Sequence, residues 1–176
     1  MIVVPYDPEW PARFASIETV LKEALIDVPV LAIEHVGSTS VPGLAAKPVI
    51  DIDVVARRDT VPAAIAALEA IGYRHIGDLD VPDREAFRAP TGAPRQNTYV
   101  TVEGCLSLRN HLGVRDVLRV RPDLRDEYGA VKLALADQTD DVDVYVDGKT
   151  DLVLKILSEV GLQPHEMREL ERINRL

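Results

Sequence analysis

The chain has 176 residues, enough for one domain with a substantial core and few for two of ordinary size. Hydrophobic residues make up 47% and charged residues 28%, which excludes a disordered or fibrous chain. A formal net charge of -9 argues against non-specific nucleic-acid binding, because an acidic surface repels phosphate backbones. Cys105 is the only cysteine, so there is no intramolecular disulfide and no cysteine-rich zinc site. With no charged start leading into an apolar segment and no long apolar run, the expected location is the cytoplasm, away from the membrane.

In chain order, Ile2 to Val4 reads as a short strand broken by Pro5-Tyr6-Asp7-Pro8, with Asp7 placed to cap a helix starting near Pro8. Phe14, Ile17, Leu21, Ala24 and Leu25 then form one apolar helical stripe. After Pro29, Val30 to Ile33 reads as a strand running into Glu34, His35 and a loop of small residues with a tight turn at Pro42-Gly43. Val49 to Val55 is the strongest strand. Pro62 opens an alanine- and leucine-rich helix that Gly72 ends, and Tyr73 to Ile76 makes a further short strand. Residues 77–96 read as a long hairpin or mobile loop whose arginines could face a site. Thr98 to Glu103 is a strand candidate beside Val49 to Val55, and two helices from Leu106 and from Pro122 are expected to pair as an αα-hairpin. The acidic stretch Asp140 to Gly148 reads as a loop or short extended edge before a helix over Asp151 to Val160. A polar tail, 163–176, follows as an exposed and frayed helix.

The chemistry concentrates between residues 35 and 55. Asp51 and Asp53 are separated by one residue, so on a strand both carboxylates leave the same face about 7 Å apart. Carboxylates inside an apolar run are costly unless paired, hydrogen-bonded or bound to metal, and paired hard oxygen ligands suit Mg²⁺ or Mn²⁺. A bare Asp-x-Asp equally describes a half-exposed strand whose acids meet solvent. Upstream, Gly37 allows close backbone approach to a ligand, while Ser38, Thr39 and Ser40 add hydroxyl donors, the makings of an anion-binding loop. Alone, Gly-Ser is also an ordinary loop with a capping serine. The order strand, Gly-Ser loop, strand, Asp-x-Asp describes a phosphate holder opposite a metal holder. Lys47 could pair with Asp51 or reach a phosphate, or be a solvated loop lysine. His35 could shuttle a proton or be a hydrogen-bonded structural histidine, and Arg84, Arg88 and Arg95 could clamp a polyphosphate.

Five segments carry a family resemblance: Tyr6 to Trp10, His35-Val36-Gly37-Ser38-Thr39-Ser40-Val41-Pro42-Gly43-Leu44, Ala46 to Asp53, Arg115 to Arg119, and Tyr128 to Lys132. Together they resemble the GrpB family, whose members look like nucleotidyltransferase-fold proteins of the polymerase-β-like superfamily. The resemblance implies an α+β fold, a short mixed sheet flanked by helices with a C-terminal helical part. It also implies one domain over 1–162 followed by the tail 163–176. It maps Asp51 and Asp53 onto a catalytic metal pair, and Gly37 and Ser38, with Thr39 and Lys47 beside them, onto phosphate binding. A third acid usually comes from an adjacent strand, and Glu103 is the candidate by position. Where relatives carry a His-x-His strand, this chain reads Asn97-Thr98-Tyr99-Val100. The activity implied is Mg²⁺-dependent transfer of a nucleotidyl group from a nucleoside triphosphate to a small acceptor. The alternatives are an inactive nucleotide-binding or regulatory module and a metal-dependent phosphohydrolase.

Overall fold

A computed structural model describes residues 2–138 and 142–174. Its elements partition into two compact units, one of Glu9–Val36 and Val49–Arg109, the other of Met1–Pro8, Gly37–Pro48 and Asn110–Leu176. The α+β expectation holds: among the described residues there are six α-helices and one mixed five-stranded sheet.

The first unit contains the sheet, built from β1 (Ala32–Val36), β2 (Ile50–Ala56), β3 (Arg74–His75), β4 (Arg84–Arg88) and β5 (Gln96–Val102) in the order β1-β2-β5-β4-β3. β2 and β5 are parallel, joined by a crossover that includes helix α2 (Val61–Ala70), and the remaining neighbours are antiparallel. Strand residues of alternating parity face opposite sides. Ile50, Ile52, Val54 and Ala56 take one side of β2 and are all buried, as central-strand valines and isoleucines should be. Helices α1 (Trp10–Ala24) and α2 pack against this sheet. Phe14 of α1 stacks on His35 with ring centroids 4.6 Å apart and planes 8° from parallel, which places α1 on the Ile52 side, because His35 is the register partner of Ile52. Ile17, Leu21 and Leu25 complete the buried stripe, each contributing roughly 1.5–3 kcal/mol of apolar burial.

In the second unit the segment after β1 folds as a turn of 3₁₀ helix over Ser38–Ser40, and Ala46 bridges to Val4 through reciprocal backbone hydrogen bonds of 2.9 and 3.0 Å. Helix α4 (Pro122–Gln138) packs on α5 (Val142–Ser158), and α5 on α6 (Pro164–Asn174). Gly148 permits the first of these approaches: a Cβ there would lie 2.7 Å from Leu135 Cδ2.

Several sequence expectations are corrected. The Ile2 to Val4 strand reduces to the single bridge at Val4. Helix α1 is capped at Glu9 rather than Asp7, without a side-chain cap bond. The αα-hairpin forms one helix later than expected: α3 (Leu106–Val120) is separated from α4 by Arg121 alone, too short a junction for an antiparallel reversal, and α4 pairs with α5 instead. Of the acidic stretch, Asp140 and Asp141 lie outside the described residues, while Val142 onward is helical. The alternation of valine with acid suggested an extended edge, but the helix extends N-terminally from the buried Leu152, Val153, Ile156 and Leu157. The tail is not a wholly exposed helix, because Leu170 is fully buried. The 77–96 segment contains strand β4, so its hairpin reading is the one the fold adopts.

Candidate functional site

The sheet face turned away from Ile52 carries the acids. Asp51 and Asp53 leave that face of β2, with Asp51 partly exposed and Asp53 at 0% exposure. Their register partners on β5 are Asn97 and Tyr99. Asn97 donates from Nδ2 to Asp51 Oδ1 at 2.7 Å, which fixes the orientation of that carboxylate. Tyr99 lies beneath the guanidinium of Arg84, whose Cζ is 4.7 Å from the ring centroid. Burial pushes the Tyr99 phenol up to about 12, Asp51 and Asp53 add to the rise, and Arg84 opposes it. The phenol is therefore a neutral hydrogen-bonding group throughout the physiological range. On the other side of β2, Glu34 of β1 stands directly opposite Asp53 on this same face.

Strand β1 ends at Val36, the register partner of Asp51, and the next residue is Gly37. Within the second unit the loop is held from both ends. Gly37 has φ 69°, a conformation that disfavours any side chain. Ser40 donates from Oγ and from its amide to the Gly37 carbonyl, at 2.6 and 3.2 Å. Arg119 of α3 donates Nε and Nη2 to the Ser40 carbonyl at 3.1 and 2.8 Å. Thr39 is buried and Ser38 partly exposed, so Ser38 is the more accessible hydroxyl. Lys47 is partly buried and follows the bridged Ala46. In the same unit Lys132 is almost fully buried with Nζ 4.6 Å from the Tyr128 ring centroid, and Gly129 faces Leu44.

The expected site residues thus fall into two local groups: Asp51 and Asp53 on β2, and Gly37, Ser38 and Thr39 in the loop. Glu103 is not brought to the aspartates. It is exposed beyond the end of β5, four positions past Tyr99 or about 13 Å along the strand. Its amide instead bonds the Ala56 carbonyl at 2.9 Å. His35 lies on the opposite sheet face, stacked on Phe14. Arg84 and Arg88 sit on β4, whereas Arg95 is an exposed loop residue whose carbonyl accepts the Ile50 amide. Sequence reasoning missed Arg119 as the clamp on the loop and Glu34 as a third acid on the aspartate face. The first needs a contact 79 residues away in sequence, but the second is legible once β1 is registered against β2.

Among the described residues no three His, Cys, Asp or Glu side chains are arranged to hold one metal ion. Two carboxylates nevertheless fit a cation that keeps water and substrate oxygens in its shell, as Mg²⁺ does. The fit rests on two observations: Asp53 is a fully buried carboxylate, and its direct cross-strand neighbour is another acid. Two acids so placed are hard oxygen donors of the kind that Mg²⁺ takes. Burial pushes the Cys105 thiol up, the Leu108 amide opposes the rise, and Asp53 and Asp83 add to it. No helix among the described residues is long and apolar enough to cross a membrane.

Comparison with known proteins agrees with this architecture. A family model described as GrpB protein matches residues 1–159. The UPF0157 protein PA4798 of Pseudomonas aeruginosa is 38% identical over 160 residues, 88% of this chain and 65% of that protein, so the chain spans less than two thirds of that relative's length. The crystal structure of GrpB from Enterococcus faecalis superposes with a TM-score of 0.79 at 30% identity, covering 96% of this chain and 99% of that one. The Cid1 poly(U) polymerase, solved with MgGTP bound, superposes with a TM-score of 0.55 at 14% identity over 77% of this chain and 43% of that one. At that identity the likeness establishes the fold, which is nucleotidyltransferase-like. Family model, relative and sheet agree that the chain belongs to the GrpB family.

Proposed function

We propose that the protein transfers a nucleotidyl group from a nucleoside triphosphate to a small acceptor, with Asp51 and Asp53 holding Mg²⁺, or Mn²⁺ in its place. The observation that carries this reading is the aspartate pair itself: one carboxylate oriented by Asn97, the other fully buried, on an interior strand of a nucleotidyltransferase-like sheet. A bound divalent cation supplies charge neutralisation for the phosphates. The chain's own groups do the remaining work. Asn97 keeps Asp51 turned toward the ligand. Tyr99, neutral at physiological pH, offers a hydroxyl rather than a third negative charge beside the pair. Gly37, Ser38, Thr39 and Lys47 bind phosphate oxygens through backbone amides, hydroxyls and an ammonium, and Arg119 holds the loop that presents the first three. In the transfer an acceptor oxygen bonds the α-phosphorus and the bond from that phosphorus to the bridging oxygen breaks. The electron pair leaves with pyrophosphate, and the acceptor's proton passes to water. Glu103, exposed and distant along the strand, has no part in this scheme.

Calorimetric titration with ATP, GTP, CTP and UTP, each with and without Mg²⁺, tests the reading. Binding of at least one nucleotide that requires the metal and is lost in Asp51→Asn supports it. Absence of binding by every nucleotide, with metal present, contradicts it.

A further inference from the structure

The same sheet face carries a second like-charged pair, of opposite sign to the first. Arg74 of β3 and Arg88 of β4 are direct register partners, their Cα atoms about 5.5 Å apart or less. Both are exposed, and neither makes an ion pair among the described residues. Two guanidinium groups directly opposite each other repel. Strand β4 has its own acid, Glu85, but it faces the other side and bonds His75 Nε2 at 2.6 Å. Arg84, two positions before Ala86, lies over Tyr99 with its buried Nε lacking a hydrogen-bond partner among the described residues. By contrast Arg58, in the same unit, is matched by two hydrogen bonds to Asp83. In a chain of net charge -9, unmatched arginines collected on one face are not explained by a shortage of acids.

The register places them relative to the aspartates. Asp53 pairs with Tyr99 and Tyr99 with Ala86, so β4 runs two strand spacings, about 10 Å, from the aspartate strand. Arg88 lies toward the Asp51 end and Arg84 toward the other. A molecule whose reacting oxygen is at the aspartates and whose far end carries a compact dianion would span this distance. Guanidinium pairs match phosphate oxygens in charge and in fork geometry.

We propose that Arg74 and Arg88, supported by Arg84, bind a phosphomonoester on the acceptor, so that the acceptor is a phosphorylated small molecule. The identity of this group as part of the acceptor rests on the transferase reading above, while the anion site itself does not.

Inorganic phosphate is the probe, followed through backbone amide resonances, with acetate as the carboxylate control and the Arg74→Gln/Arg88→Gln double variant as the comparison. Phosphate is expected to shift the amides of β3 and β4, and the double variant to weaken its binding by about tenfold or more. The double variant is also expected to melt higher than the wild type in phosphate-free buffer, because the cross-strand repulsion is gone, which separates lost binding from lost folding. Unchanged phosphate affinity in the double variant, or acetate binding as tightly as phosphate, overturns the proposal. If metal-dependent nucleotide binding fails while this phosphate site persists, the transferase reading falls and the anion site stands. The reverse pattern removes the anion site alone.

Discussion

At the scale of single residues the proposed site rests on three kinds of side chain. The aspartates answer for ligand. When nucleotide and Mg²⁺ are present at about a hundred times the dissociation constant, binding should stabilise the folded chain by about 2.7 kcal/mol, measured as a rise in denaturant midpoint. Asp53→Asn should abolish that increment. Tyr99 answers for pH. Its folded value of about 12 lies above the ordinary tyrosine value of 10, so the native state holds this proton when the unfolded chain has released it. The stability it contributes is fully present below about pH 10 and is lost as pH rises toward 12, at about 1.4 kcal/mol per unit. Tyr99→Phe should flatten the fall in stability over that window in an alkaline denaturation series, and an unchanged slope would contradict the assignment. Arg119 answers for the loop. Removing its two hydrogen bonds to the Ser40 carbonyl in Arg119→Ala should cost about 1.5–3 kcal/mol, because charged donors are worth more than neutral ones. The phosphate binding proposed for Ser38 and Thr39 should weaken with it. The aspartates were legible in the sequence because a strand's period of two puts Asp51 and Asp53 on one face whatever surrounds them. Arg119 was not, because nothing local to α3 says which carbonyl it reaches.

At the scale of elements, periodicity served well where one face is buried and poorly where the signal is mixed. The Ile50 to Ala56 run and the Ile17, Leu21 and Leu25 stripe are found in the structure because their apolar positions leave one solution. The stretch before Asp151 alternates acid and valine, which mimics a strand, yet it continues a helix whose buried side begins downstream. Helix α6 shows the same limit: its polar sequence suggests an exposed tail, but one fully buried leucine anchors it. Leu170→Ala should therefore destabilise the folded chain by about 2–5 kcal/mol, read from its urea transition, whereas an effect within about 0.5 kcal/mol would mean that α6 is not packed as described. Gly113 is a second element-scale constraint. A Cβ there would stand 2.9 Å from Val160 Cγ2, so Gly113→Val should overpack the junction by about 1–3 kcal/mol.

At the scale of the molecule, the family and the fold class were readable because the small-residue loop and the aspartate strand follow each other in a distinctive order. What the sequence could not convey is how charge is distributed over the sheet. A net charge of -9 describes an acidic protein, but the register sorts acids onto β1 and β2 and unmatched arginines onto β3 and β4 of one face. That pattern suits a ligand with a metal-bound end and an anionic end better than it suits a nucleic-acid backbone. The most direct test of the transferase reading is pyrophosphate release, followed when the protein is incubated with labelled nucleoside triphosphates, Mg²⁺ and a pool of small metabolites. The account predicts pyrophosphate formed together with a labelled acceptor, both lost in Asp51→Asn. Tight nucleotide binding with no pyrophosphate at any acceptor, or inorganic phosphate released without one, would contradict it.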